Sequence, residues 1–424
     1  MGRLELDKYI ESHLEDRELA ELLNKETERQ NNGLELIASE NYPSEQVRMA
    51  CASILTAKYS EGYPNRRYYG GCEYVDKIEN IAIERACKLF NSKYANVQPH
   101  SGSQANAEAY SALEKYLQEQ GKLKDRKMKI LTMNLGSGSH LSHGSPVSFS
   151  SYMYNFDFFE LGQDGKLDFD IIENKLKEFK PDVLLSGYSA YPYAIDFKRF
   201  KELADKYGCL FMVDMAHIAG LVATGYHQNP CEYADIVTTT THKTLRGTRS
   251  GLILTNNEEL AKKIDSAVFP FSQGGSLQHI IAAKAIGFKE AMTPEFKEYI
   301  KQVIENTKEF TKRLKELGCV CSDTDNHLML LNVKESFGIT GKEAQEKLEG
   351  IKITTNKNMI PNDTEKPNTT SGLRIGFAAL TTRGATKEIA IETADLIYDC
   401  LSEKDKKENL QERVKEIVSK LKDV

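Results

Sequence analysis

The chain has 424 residues, with 56 basic against 62 acidic side chains and a net charge of −6. That length suggests roughly two to three domains. At 40% hydrophobic and 28% charged, the chain can bury a sizeable core and carries no compositional signature of disorder. The slightly acidic balance gives no general pull toward phosphate backbones or anionic lipid, so nucleic-acid and membrane binding are not expected, and any anion must be held by a local site. The first residues run straight into a charged amphipathic pattern, and no segment approaches the ~20 apolar residues of a membrane span. A cytoplasmic location is therefore expected. The eight cysteines are scattered, without the paired spacings of zinc modules or small disulfide scaffolds, and read as reduced thiols.

In chain order, apolar spacing from Leu14 to Asn32 predicts a helix with Gly33 as its C-cap. The same periodicity recurs over Tyr74–Phe90 and Ala105–Gln118, which makes the first quarter mostly helical. From there, short apolar runs at Lys129–Met133, Val183–Ser186, Leu210–Asp214, Asp235–Thr239 and Leu252–Thr255 read as strands, several separated by helical stretches such as Phe197–Tyr207. Strands alternating with helices imply a mostly parallel sheet. Ligands of such sheets gather beyond the carboxyl ends of the strands, where Asp214 and the pair His242-Lys243 stand. After Met292-Thr-Pro294, a long charged helix, Glu295–Leu317, precedes a strand at His327–Val333, a helix at Gly341–Leu348 and strands around Ile353 and Ile375. This is the pattern of a smaller α+β domain. Ile360–Gly372 reads as a loop, and the charged tail from Glu403 as a solvated helix face.

Three places can carry chemistry. Ser101-Gly-Ser-Gln-Ala-Asn106 follows a strand-like run and opens a helix, so its amides and hydroxyls suit a phosphate or, equally, a simple helix cap. No P-loop pattern occurs, and Gly136-Ser-Gly138-Ser-His-Leu141 lacks the third glycine of a dinucleotide fingerprint. Val213-Asp-Met-Ala-His217 sets a carboxylate at a strand end with an imidazole three residues on; alone, that aspartate is also explained as a helix cap. Thr238-Thr-Thr-Thr-His-Lys243-Thr sets a lysine after a β-branched strand, where enclosure would depress its pKa and make the amine nucleophilic. In isolation it would be a surface lysine. As a set, the loop, the aspartate and the lysine are what pyridoxal 5'-phosphate demands. Amides hold the phosphate, the carboxylate keeps the pyridine nitrogen protonated, and the amine forms a Schiff base. His140 adds a stacking partner. His140 and His143 have a metal-like spacing but no carboxylate or cysteine beside them in sequence, and no metal is expected.

The sequence resembles the serine hydroxymethyltransferase family. The resemblance runs from about Leu34 to about Arg383, through Leu36-Ile-Ala-Ser-Glu-Asn-Tyr, Glu61-Gly-Tyr-Pro, Arg67-Tyr-Tyr-Gly-Gly-Cys-Glu-Tyr-Val-Asp, Ala95-Asn-Val-Gln-Pro-His-Ser-Gly-Ser-Gln-Ala-Asn and the Asp214 and Lys243 blocks. It implies an α/β protein of pyridoxal-phosphate fold type I with a mostly parallel, seven-stranded sheet. The layout it implies is an N-terminal helical arm over 1–33, a large cofactor-binding domain over 34–292 and a small α+β domain over 293–424. The implied activity is reversible transfer of the serine hydroxymethyl group to the co-substrate tetrahydrofolate, giving glycine and 5,10-methylenetetrahydrofolate. The implied assembly is a homodimer with shared active sites, or a pair of such dimers.

Carried over motif by motif, the resemblance makes Lys243 the Schiff-base lysine, Asp214 the pyridine-nitrogen partner and His140 the stacking ring. Ser101, Gly102 and Ser103 become phosphate ligands, and Ser189 and His217 support the ring oxygen. Thr240 and His242 flank the lysine. Arg374 grips the substrate carboxylate with Ser39, and Glu61 is the central acid/base. Tyr59, Tyr69 and the Gln273-Gly274-Gly275 loop reach a partner's cofactor, and Asn358 meets the pterin. Two stretches depart from the family pattern. Gly138-Ser-His-Leu-Ser-His-Gly replaces Gly-Gly-His-Leu-Thr-His-Gly, and Phe377-Ala-Ala follows Arg374-Ile-Gly in place of Thr-Pro-Ala. Ser139, Ser142 and Phe377 therefore leave open an alternative, a folate-independent aldolase or transaldolase of β-hydroxy amino acids of the threonine or α-methylserine type. Phe377 would either tighten the pocket or refill space.

Overall fold

The computed structural model describes residues 5–424, with side chains from Asp7 onward; residues 1–4 of the expected arm lie outside the described residues. The chain divides into two units. One comprises Gln46–Ser189 and Ala194–Lys297; the other comprises the segment ending at Glu45, Ala190–Tyr193 and Glu298–Val424.

The larger unit is built on seven strands: β1 Tyr94–Asn96, β2 Lys129–Met133, β3 Asn155–Phe159, β4 Val183–Ser186, β5 Leu210–Asp214, β6 Ile236–Thr240 and β7 Gly251–Thr255. Their order across the sheet is β1-β7-β6-β5-β4-β2-β3, and only β7 runs against its neighbours. Every residue of β4, β6 and β7 is buried. That uninterrupted burial suits a sheet covered on both faces, where apolar runs replace alternation. On one face Ala105, Ala109 and Leu113 of the helix Gly102–Glu119 pack with Ile130, Val183, Leu185, Met212, Ile236 and Ile253. The register pairs Asp214 with Thr238 and Thr240 with Gly251. The end of β5 and the segment leading out of β6 thus emerge side by side. Asp235 precedes β6 instead of opening it, its Oδ2 accepting the Phe211 N–H at 2.8 Å.

The smaller unit holds an antiparallel sheet of β8 Leu328–Asn332, β9 Asn356–Asn358 and β10 Gly372–Gly376, in the order β8-β10-β9. Leu34 and Glu35 pair in parallel with Ile353 and Thr354. A Cβ at Gly376 would come within 2.6 Å of the Ala38 Cα, and the Gly376 N–H donates to Leu36 O at 2.9 Å. This close approach fixes residues 36–39 against the strand that carries Arg374.

Three expectations need correction. The helix expected from Leu14 begins only at Arg17, as Arg17–Asn31, because Asp16 caps it by accepting the Leu19 N–H at 3.1 Å, and a separate helix, Glu5–His13, precedes it. The Arg17–Asn31 helix is closed by Asn32, whose N–H and Nδ2 both donate to Glu28 O, and not by a left-handed Gly33. Gly33 is needed where a Cβ would meet Lys352 O at 3.0 Å. The charged tail is not solvated throughout, since the helix Lys407–Ser419 buries Leu410, Val414 and Ile417 along one face. Arg383 is buried nearby in the sequence, donating from Nη1 to Gln30 O and Gly33 O, from Nη2 to Asn31 O and from Nε to Lys422 O. None of the helices among the described residues is long and apolar enough to cross a membrane.

Candidate active site

Asp214 ends β5 with its side chain almost out of solvent. Oδ2 receives the Asn106 Nδ2–H at 2.9 Å and lies 3.1 Å from His143 Nε2, while Oδ1 takes the Ala216 N–H at 3.0 Å. The capping role is therefore real and coexists with the rest. Burial alone would raise this carboxyl, but the hydrogen bond and field of His143, the field of His140 and the Asn106 amide hold it well below the usual carboxylate range. His143 Nδ1 lies 2.5 Å from the Tyr110 hydroxyl, so the imidazole is held at both nitrogens. The His140 ring sits 5.8 Å from that of His143. Its Nδ1 lies 2.7 Å from Ser142 Oγ and 3.2 Å from the Ser142 N–H donor.

Lys243, 8% exposed, lies in a tight turn leaving β6. Gly247 N–H donates to Thr241 O at 2.7 Å, Arg246 N–H donates to Lys243 O at 3.0 Å, and Arg246 takes a φ of 58°. The Thr244 hydroxyl donates to His217 O at 2.9 Å and accepts the Gly220 N–H at 3.0 Å. It thereby ties the lysine turn to the loop after Asp214. Burial, and then the charges of Arg249 and Lys243, push His242 down to about 3, so it is neutral at physiological pH. Ser101 caps the helix Gly102–Glu119, its Oγ accepting the Gln104 N–H at 3.2 Å. The Gly102 and Ser103 amides are first-turn donors without intrahelical acceptors. A Cβ at Gly102 would meet the Thr240 methyl at 2.5 Å, so this loop rests directly on the end of β6. Ser189 N–H donates to Gly138 O at 2.8 Å, which joins the loop after β4 to the His140 loop.

A second group gathers around Tyr59, Glu61 and Tyr69. The two tyrosine rings are 5.2 Å apart. A Cβ at Gly275 would meet Tyr59 Cε1 at 3.1 Å, and one at Gly274 would meet Glu61 Oε1 at 3.3 Å. Gln273 anchors this loop, accepting the His100 N–H and donating to Gln98 O, each at 3.0 Å. In the smaller unit, Arg374 Nη2 donates to Ser39 Oγ at 3.4 Å and Nε to Asn356 Oδ1 at 3.3 Å. Desolvation pushes its guanidinium down to about 10, still charged at neutral pH. Asn358 stands on β9 opposite Gly372 and donates from Nδ2 to Met359 O at 2.6 Å.

The serine hydroxymethyltransferase family model matches residues 13–397. The chain belongs to the serine hydroxymethyltransferase family. It is 52% identical over 404 residues to the serine hydroxymethyltransferase of Mycoplasma capricolum subsp. capricolum, covering 95% of each chain. It is 52% identical over 406 residues to that of Mesoplasma florum, again with 95% of each chain covered. To that of Metamycoplasma arthritidis it is 50% identical over 410 residues, 96% of this chain and 95% of the relative. Membership of this family implies pyridoxal phosphate, and the residues present fit it. Thr240 Oγ1 and His242 Nδ1 are buried without a hydrogen-bond partner beside Lys243, the Gly102 cradle excludes any side chain, and Asp214 is held anionic.

The departures from the family pattern now have locations. Phe377 is fully buried, its ring 5.0 Å from Phe310 in the core of the smaller unit, so it refills space. Ser142 supplies a hydroxyl next to His140. The Ser139 hydroxyl is buried without a partner, and nothing in the structure explains it. Sequence reasoning gave no role to Asn106, Ser142, His143 or Tyr110. The His140/His143 spacing was the available signal, but it pointed toward a metal pair and not toward Asp214.

Proposed function

We propose that this chain catalyses the reversible transfer of the serine hydroxymethyl group to tetrahydrofolate, giving glycine and 5,10-methylenetetrahydrofolate. The observation that carries the reading is the joining, at the ends of β5 and β6, of an aspartate held anionic to a lysine turn tied by Thr244 and to a helix N-terminus. Bound pyridoxal phosphate supplies a sink for the electron pair left when the Cα–Cβ bond of serine breaks.

The rest is done by the chain's own residues. Lys243 presents the amine that holds the cofactor aldehyde. Ser101, Gly102 and Ser103 bind the phosphate at the positive end of an 18-residue helix. The Asp214 carboxylate, kept ionised, holds the proton on the pyridine nitrogen. His140 covers one ring face, Ser189 and His217 orient the ring oxygen, and Thr240 and His242 line the lysine. Arg374, with Ser39, binds the substrate carboxylate through a planar two-pronged donor and so fixes which bond to Cα is aligned for cleavage. Glu61 takes and returns the proton of the substrate hydroxyl. Tyr59, Glu61, Tyr69 and the Gly274-Gly275 loop serve the cofactor of a second copy, which makes the working unit a homodimer, located in the cytoplasm. Asn358 contacts the pterin.

Phe377 in the core supports folate-dependent transfer over the folate-independent aldolase, because it does not narrow the substrate side. The deciding assay is conversion of serine to glycine by the purified protein with and without tetrahydrofolate, alongside cleavage of threonine and allo-threonine. Strong folate dependence is expected. Serine turnover indifferent to folate, with fast threonine cleavage, would overturn the reading.

A further inference from the structure

We propose that Asn106 is the positioning residue of the cofactor ring, setting its edge through Asp214 and its face through Ser142 and His140. This rests on the pyridoxal phosphate reading above. Asn106 is 1% exposed and lies on the helix that begins at the phosphate loop. Thr238 Oγ1 donates to its Oδ1 at 2.6 Å, and its Nδ2 donates to Asp214 Oδ2 and to Ser142 Oγ, each at 2.9 Å. The orientation of the amide is forced, because a carboxylate can only accept and both amide hydrogens must therefore face Asp214 and Ser142. Having accepted from Asn106, the Ser142 hydroxyl turns its own hydrogen to His140 Nδ1 at 2.7 Å. That nitrogen also takes the Ser142 N–H, which fixes the plane of the imidazole.

One carboxamide thus aligns both groups the resemblance assigns to the ring. No other side chain of this size does so. Aspartate has no hydrogens for Asp214, and alanine or leucine leaves the Thr238, Ser142 and Asp214 groups short of partners in a buried place. Asn106 touches neither substrate nor the reacting atoms, so its effect travels through its neighbours.

The test compares holoenzyme of the wild type, Asn106→Ala and Thr238→Val by three readouts: the dissociation constant for pyridoxal phosphate, the pH titration of the visible absorption band of the bound cofactor, and thermal unfolding. Asn106→Ala is expected to bind the cofactor about tenfold more weakly and to move the titration midpoint by about one pH unit. A merely structural role would lower stability without moving that midpoint. Thr238→Val keeps the shape of the side chain while releasing the amide, and is expected to move the midpoint in the same direction by less. It decides the matter if Asn106→Ala does not fold. A folded Asn106→Ala with wild-type affinity and midpoint overturns this proposal alone, as does an unshifted Thr238→Val in its stead. A wild-type protein that takes up no pyridoxal phosphate overturns the functional reading and this one with it.

Discussion

Replacing His143 with leucine removes one of three hydrogen bonds to the Asp214 carboxylate, the 3.1 Å contact with Nε2. It also leaves the Tyr110 hydroxyl with only a 3.5 Å approach to Ser142 O. A hydrogen bond to a charged group is worth about 1.5–3 kcal/mol, and a buried hydroxyl left short of a partner costs about 1–3 kcal/mol. The expected loss is therefore about 2.5–6 kcal/mol, on the order of 10 °C in the melting temperature of a unit this size. The pH dependence has a definite sign. In the wild type the Asp214 carboxyl lies below its ordinary value, so it contributes stability above the pKa of the unfolded chain, about 3.9, and loses it only as pH falls toward the depressed folded value. In His143→Leu the His140 field and the Asn106 amide still oppose burial, but the largest lowering cause is gone and the folded pKa rises from its depressed value. Part of the stability present above the pKa of the unfolded chain is thereby lost, and the difference from the wild type closes as pH falls toward the depressed folded value. Thermal unfolding of the cofactor-free protein at matched concentration should show the full deficit near pH 7 and a smaller one on acidification to about pH 3. Adding Tyr110→Phe to the variant should return about 1–3 kcal/mol. A variant as stable as the wild type, or a deficit identical at both pH values, would refute the role given to His143.

Four further outcomes are expected. Phe377→Ala should cost about 3–5 kcal/mol by emptying space beside Phe310 while leaving KM for serine unchanged; a raised KM with unaltered stability would put this side chain in the pocket. Arg374→Lys, which keeps the charge but loses the planar fork, should raise KM for serine about tenfold or more, and steady-state kinetics showing wild-type KM would remove Arg374 from the substrate site. Lys243→Ala should abolish borohydride fixation of the cofactor, as read by peptide mass mapping, and fixation at another lysine would overturn the assignment. Mixing inactive Lys243→Ala with inactive Glu61→Gln chains should regain part of the activity if active sites are shared between copies; persistent inactivity of the re-dissociated mixture would argue for self-contained sites.

What could be read from the sequence follows from burial. The runs that became β4, β5 and β6 are largely buried, so they read as apolar or β-branched blocks with little alternation, and Asp214 at the end of one and Lys243 three residues past another stood out for that reason. Strands β1 and β3 gave no comparable signal. Tyr94–Asn96 spans three residues, and Asn155–Phe159 is an edge strand with only its last residue fully buried. The cofactor loop, the aspartate and the lysine were recognisable as types of side chain, whereas Asn106 was not. An asparagine in an alanine-rich helix has no distinctive pattern, and its partner Asp214 lies 108 positions away. The sequence also left Phe377 open between pocket and core, because an aromatic ring after a strand suits either until Phe310 is seen against it.

Arg383 has a consequence for the order in which the chain can be completed. Its guanidinium collects carbonyls from residues 30, 31 and 33 and from residue 422, and the Val424 N–H reaches Asn31 Oδ1 at 2.7 Å. During synthesis the segment Gln46–Lys297 emerges whole while the helix Arg17–Asn31 still waits for groups not yet made. The two ends of the described chain should therefore gain and lose amide protection together, in hydrogen exchange, as one late-closing element. A nick or truncation near residue 422 would be felt first around residues 30–33.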